Sequence, residues 1–183
     1  MTAKNVGIIV AAALAMYVWG MIYWGLSPLP YLTWHQTRDD VAAGQALREH
    51  FPEQGTYYLP GEHHGPEAKA ELYDKGPIAF VHVTAPDGRP VHEPWVLVKG
   101  LVLCLSVAFL LAMVFRIGDI QAVGARLRVG LLAGAAATIM IDGGDMVWWY
   151  LPWDWKMAQA VYNLSAWFLT SLVLAYGFKA PQT

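Results

Sequence analysis

Asp142 and Asp145 stand three residues apart near the end of a long apolar run, in the stretch "IDGGDMVWWYLPWDW", residues 141–155. A charge in hydrocarbon costs roughly 2.5–3.5 kcal/mol on insertion scales, so it needs a partner or a water-filled cavity. The i, i+3 spacing puts both carboxylates on one helix face. Two other polar residues reach a comparable depth. Lys99 lies roughly 6 Å below the boundary set by Trp95, at 1.5 Å of rise per residue. Asn163 lies about one and a half turns into the last apolar run. Lys99, Asp142, Asp145 and Asn163 therefore form an expected polar cluster in one end of a helical bundle. In one reading it is a proton or cation site, or the floor of a ligand pocket. In the leading reading it is structural. Lys99 then ties to Asp142 or Asp145 between the second and third apolar runs, and Asn163 bonds backbone loosened at Gly143-Gly144.

All six histidines fall between residues 28 and 94: His35, His50, His63, His64, His82 and His92. Neutral imidazole is a metal ligand, so the clustering raises a metal reading. His63 and His64 are adjacent in a loop flanked by Gly and Pro. His82 and His92 flank "APDGR", which favours a type I turn with Gly88 in the left-handed region. That three-residue loop sets His82 opposite His92 on an antiparallel pair, with Cβ atoms about 5 Å apart. A two-residue Asp-Gly loop would set them on opposite faces instead. The plain alternative is that histidine suits polar segments and is excluded from apolar ones.

The elements that position these residues follow from hydropathy. Of 183 residues, 56% are hydrophobic and 14% charged, and the apolar ones concentrate in four runs. These are residues 6–26, 95–115, Val129 to Trp149, and Met157 to Phe178. A bilayer core about 30 Å thick needs about 20 apolar residues per helix, so each run is long enough to cross. The expected fold is an integral-membrane, all-α four-helix transmembrane bundle, with a small extracytoplasmic α/β insert between its first two helices. The divisions are 1–27 for the first helix, 28–94 for the insert and 95–183 for the other three. The first run exceeds a signal-peptide core and lacks a small-x-small cleavage site, so it reads as a retained helix. Within the insert, Thr37 is the expected N-cap of a helix ended by Pro52. "GTYYLPG" reads as a strand, "GPEAKAELYDKG" as a helix with Gly76 at its C-terminal cap, and residues 78–94 as a hairpin.

Basic residues near helix ends set orientation. Lys4, Arg116, Arg126, Arg128 and Lys179 share one side of a four-crossing chain, whereas residues 28–94 carry five basic and ten acidic residues. Both termini are therefore expected in the cytoplasm of a bacterial inner membrane, with residues 28–94 outside. Eight tryptophans fall towards that outer boundary, as amphipathic rings do in an interfacial belt. The third run also carries Gly130-x-x-x-Gly134, a small face that admits a close helix neighbour. It marks a surface for a membrane-protein partner or a second copy, or serves only packing within the chain.

"FPEQGTYYLPG", "KGPIAFVHV" and "WDW" before a final apolar helix resemble an uncharacterised family of small bacterial four-helix membrane proteins. The resemblance covers most of the chain. It implies an extracytoplasmic insert and carries over no catalytic residue.

The formal net charge of −2 and the lack of a basic run speak against nucleic acid as a partner. The single Cys104 excludes CxxC zinc sites, covalent haem c and internal disulfides. There is no HExxH, GxSxG, P-loop or dinucleotide motif, and nothing names a cofactor. The leading expectation is a non-enzymatic accessory, assembly or stabilising subunit of a larger membrane complex, with the bilayer itself as a partner. A metal-ion or small-ligand binding protein comes second, and a small transporter acting as an oligomer third. Orientation has a direct check. Cysteines introduced at Gln54 and Gly124 are probed in intact cells with an impermeant thiol reagent. Position 54 should label and 124 should not; the reverse pattern overturns the topology.

Overall fold

The computed structural model describes residues 2–177. Phe178 and Lys179, used above for the fourth run and for orientation, lie outside the described residues. The chain divides into two compact units, one formed by His35–His92 and the other by the segments on either side of it.

The larger unit is a helical bundle. Its elements are α1 (Ala3–Gly20), α4 (Pro94–Ile117), α5 (Val123–Thr138), α6 (Gly144–Trp148) and α7 (Trp153–Gly177). A π-helical turn, Met21–Leu26, prolongs α1, and another, Ile139–Gly143, joins α5 to α6. Four helices are thus long and apolar enough to cross a membrane: Ala3–Leu26, Pro94–Ile117, Val123–Trp148 and Trp153–Gly177. The local signals are simple. Thr2 accepts the Asn5 backbone N–H at the start of α1, and Pro94 opens α4, where its missing N–H costs nothing. At the end of the bundle where α1 begins and α7 ends, Arg126 is buried. It donates to the Ile120 carbonyl at 2.7 Å and to the Ala175 carbonyl near the end of α7 at 3.3 Å. An arginine read from sequence as an orientation marker thus also satisfies a carbonyl that the end of α7 leaves open and one in the α4–α5 linker.

Packing runs in the order α4, α1, α7, α5. The core joins Ile9, Ala12, Ala13 and Met16 of α1 to Ala108, Leu111, Ala112 and Phe115 of α4 and to Ala166 and Leu174 of α7. Small residues let these backbones approach closely. The same logic decides between the two readings of the glycine face. Gly130 and Gly134 are buried and face α7 inside the bundle, so they offer no surface to a partner. A Cβ on Gly130 would sit 2.1 Å from Ser171 Oγ, and one on Gly134 would sit 2.4 Å from Trp167 Cγ. The motif was read correctly as a close-contact face, but the neighbour is the chain's own last helix.

The smaller unit contains α2 (Asp40–His50), β1 (Gly55–Leu59), α3 (Pro66–Lys75) and β2 (Ala79–Val83). The N-cap of α2 is Asp39, not Thr37: its carboxylate accepts the Val41 and Ala42 backbone N–H groups, both at 2.9 Å. Thr37 bonds the Asp40 side chain instead. β2 pairs antiparallel with β1, with Thr56 opposite His82. The expected hairpin does not form. Its turn does: Gly88 N–H reaches the Ala85 carbonyl at 3.1 Å, with Gly88 at φ +81. The chain beyond it, "RPVHEP", holds two prolines that remove ladder donors. The edge of β2 available to it therefore stays unpaired by that segment, and His92 lies in irregular chain.

Gly134→Ala should destabilise the bundle by about 1–3 kcal/mol, because the new Cβ would sit 2.5 Å from Trp167 Cβ, an atom held by the α7 backbone. Gly143→Ala is the control: its new Cβ meets nothing closer than 3.9 Å. Thermal unfolding in detergent separates the two. Equal melting temperatures would show that the α5–α7 contact is looser than described.

Candidate functional site

The densest polar site in the bundle centres on Lys156, in the first turn of α7. Its Nζ lies 2.8 Å from Asp142 Oδ1 and 2.9 Å from Asp145 Oδ2, and it donates to Gln159 Oε1 at 2.5 Å. Asn163 Nδ2 donates to the other Asp142 oxygen at 2.8 Å. Lys156 and Asp142 are buried; the Asp145 side chain is 32% exposed. Two features of the backbone bring this about. The π-helical turn at Ile139–Gly143 widens the helix at Asp142, and such turns recur where side chains must be re-aimed. On α7, Lys156, Gln159 and Asn163 follow one another at i, i+3 and i+7, a single face.

An ammonium has three N–H donors, and here all three meet acceptors. The set carries one positive and two negative charges, with the second carboxylate, Asp145, partly exposed. No donor of the lysine is left for a ligand. The arrangement ties the end of the α5–α6 helix to the start of α7. It assembles no nucleophile beside a base.

Of the four residues expected to meet, Asp142, Asp145 and Asn163 come together and Lys99 does not. Lys99 is exposed and, among the described residues, makes no ion pair. Lys99 sits on α4, which packs chiefly on α1, not on α5. The lysine that serves is Lys156, one residue before the apolar run that starts at Met157. The helix in fact begins at Trp153. The missed signal was the Lys156, Gln159, Asn163 stripe itself.

Aromatic rings surround this end of α7. Trp155 packs against Trp24 and Trp34, each with centroids 5.8 Å apart, and the Tyr23 hydroxyl donates to the Ala158 carbonyl at 2.9 Å. Deeper in, Trp19 Nε1 donates to Ser165 Oγ at 2.8 Å. These contacts fix the lysine-bearing turn of α7 against α1.

The smaller unit holds a different kind of site. A cleft of about 700 Å³ is lined by His50, Phe51, Tyr57, Tyr58, His63 and His64, among others. The His63 and His64 rings have centroids 4.1 Å apart, and the His63 ring lies over the Gly61 backbone, where a Cβ would come within 2.6 Å of it. Tyr73 donates to the Tyr58 hydroxyl at 3.1 Å. His82 and His92, expected to oppose one another, do not: His82 Nδ1 is 3.0 Å from Thr56 Oγ1, and His92 has no place in the sheet. Among the described residues no group of three or more His, Cys, Asp or Glu is placed to hold a metal ion.

Lys156→Met should cost about 3–5 kcal/mol, as removal of one partner from a buried pair does, because Asp142 is left buried without its counter-charge. Lys99→Met, on an exposed position, should change stability by no more than about 0.5 kcal/mol. Thermal unfolding of both variants in detergent checks the assignment, and a larger loss from Lys99→Met would reverse it. Comparison with family models, with curated proteins and with solved structures finds no match for this chain.

Proposed function

We propose that the protein is a non-enzymatic accessory subunit of a larger membrane complex, set in a bacterial inner membrane with both termini cytoplasmic and residues 28–94 outside. The observation that carries this reading is the state of the smaller unit. Neither α2 nor α3 contributes a buried residue, and Pro60 is the one buried side chain in the unit. Val41 is 71% exposed, Ile78 52% and Val91 93%. In the bundle, lipid accounts for uncovered apolar side chains. The insert is too polar to enter lipid, so its uncovered apolar residues call for protein. A segment of this size has little core of its own to spend surface from. The saturated Lys156 ammonium supports the same reading, since none of its N–H donors is left for a ligand.

A second reading is favoured by the cleft of about 700 Å³ beside His63 and His64, a size that suits a small organic molecule. In that case the protein is a membrane-anchored binding protein. Purification in a mild detergent, with mass spectrometry of what co-migrates, separates the two. A stoichiometric membrane-protein partner is the expected result. A monodisperse species containing this chain alone would contradict the subunit reading and favour the binding one.

A further inference from the structure

The bundle has a groove that its polar cluster does not use. It opens between α1 and α4 at the end where the chain leaves for the smaller unit, and has a volume of about 550 Å³. One wall is the π-helical turn with Met21, Trp24 and Gly25; the other is α4, with Val96, Gly100 and Leu103. Glycines leave the space: nothing comes within 4 Å of where a Gly25 Cβ would stand, and Gly100 meets only the Tyr17 ring, at 3.4 Å. The lining is almost wholly apolar, and the Tyr17 hydroxyl at its edge already donates to the Leu97 carbonyl at 3.1 Å. Such a groove takes a hydrocarbon chain.

A charge lies beside it. Lys99 stands three residues after Val96 and four before Leu103, both groove residues, and so lies on the adjoining helix face. It sits about five residues, roughly 8 Å, into α4, from where its stem can carry the ammonium to the headgroup level. Among the described residues it has no carboxylate partner. The aspartates at a matching level, Asp142 and Asp145, are committed to Lys156. Trp24 in the wall and Trp95 beside the mouth are rings of the kind that settle at headgroups. An apolar slot with an uncompensated cation on the adjoining helix face matches one amphiphile: a hydrocarbon chain attached to an anionic head.

We propose that the α1–α4 groove is a binding site for an anionic phospholipid, with an acyl chain between Gly25 and Gly100 and the headgroup phosphate at Lys99. The proposal rests on the membrane placement given above, and the experiment tests the two apart. The full-length protein is fractionated first. Recovery in the soluble fraction without detergent would defeat both. The detergent-purified protein is then offered equal amounts of phosphatidylglycerol and phosphatidylcholine and examined by native mass spectrometry. The wild type should retain phosphatidylglycerol roughly fivefold over phosphatidylcholine, the scale expected for one lysine near an anionic surface. Lys99→Gln should remove the preference and keep lipid binding. Leu103→Trp, at a groove position that is 65% exposed and outside the core, should reduce retention of both lipids. The groove assignment fails if Lys99→Gln leaves the preference intact, or if Leu103→Trp leaves retention unchanged. It also fails if a co-purifying polypeptide must be stripped before any lipid binds, because the occupant is then a partner helix.

Discussion

A lysine ammonium buried among apolar helices is stable only if its three N–H groups and its charge are answered at once. Lys156 meets both conditions through Asp142, Asp145 and Gln159. The rest of the bundle is arranged around that requirement. The π-helical turn at Ile139–Gly143 places Asp142 where α7 begins, and Gly130 and Gly134 bring α5 close enough to α7 for the contact to be short. Trp24, Trp34 and Trp155 hold the first turn of α7 against α1. The short α6 and the loop to Trp153 then form the return between two helices already pinned at that end. A buried pair of this kind is weak proof of net stability, since two apolar residues of similar volume often serve as well. What it does supply is register: sliding α5 by one turn on α7 would leave Asp142 in an apolar contact without its lysine.

The helical part of this architecture was legible in the sequence because hydropathy and length speak directly to it. Four apolar runs became four long helices, and Gly143-Gly144 marked the place where the third is wound differently. The polar cluster was legible in part. Asp142, Asp145 and Asn163 were identified from depth and spacing, quantities that a single helix determines. Their cation was not, because the choice between Lys99 and Lys156 depends on which helices are neighbours. The order α4, α1, α7, α5 is a property of the assembled bundle that no single run encodes. The boundary of α7 compounded the error. A Trp- and Asp-rich first turn reads as a loop, and Lys156 went with it.

The smaller unit shows the opposite balance. Its local signals held at β1, at α3 with its Gly76 cap, and at the turn closed by Gly88. The pairing failed where a local preference met a missing donor. The turn at Pro86-Asp87 directs the chain back along β2, but Pro90 and Pro94 deny it a ladder, and β2 pairs with β1 instead. The His82–His92 pair disappears with that ladder. What replaces it as the notable histidine site is the cleft beside His63 and His64, assembled from β1, the loop after it and the ends of α2 and α3. No spacing rule in the sequence points to a cleft of that origin. The subunit reading draws on the same feature, a unit with folded elements and almost no buried side chains.

The central claim is that Lys156 and Asp142 act as one structural pair. A double-mutant cycle measures this most directly, using Lys156→Met, Asp142→Leu and the combination, each followed by unfolding in detergent. The account predicts that the double variant is more stable than the sum of the single losses implies, with a coupling of about 1–3 kcal/mol between the two positions. Losses that add to within about 0.5 kcal/mol would contradict it. Asp142 would then be stabilised by something other than this lysine, and the buried cluster would again be open to a ligand.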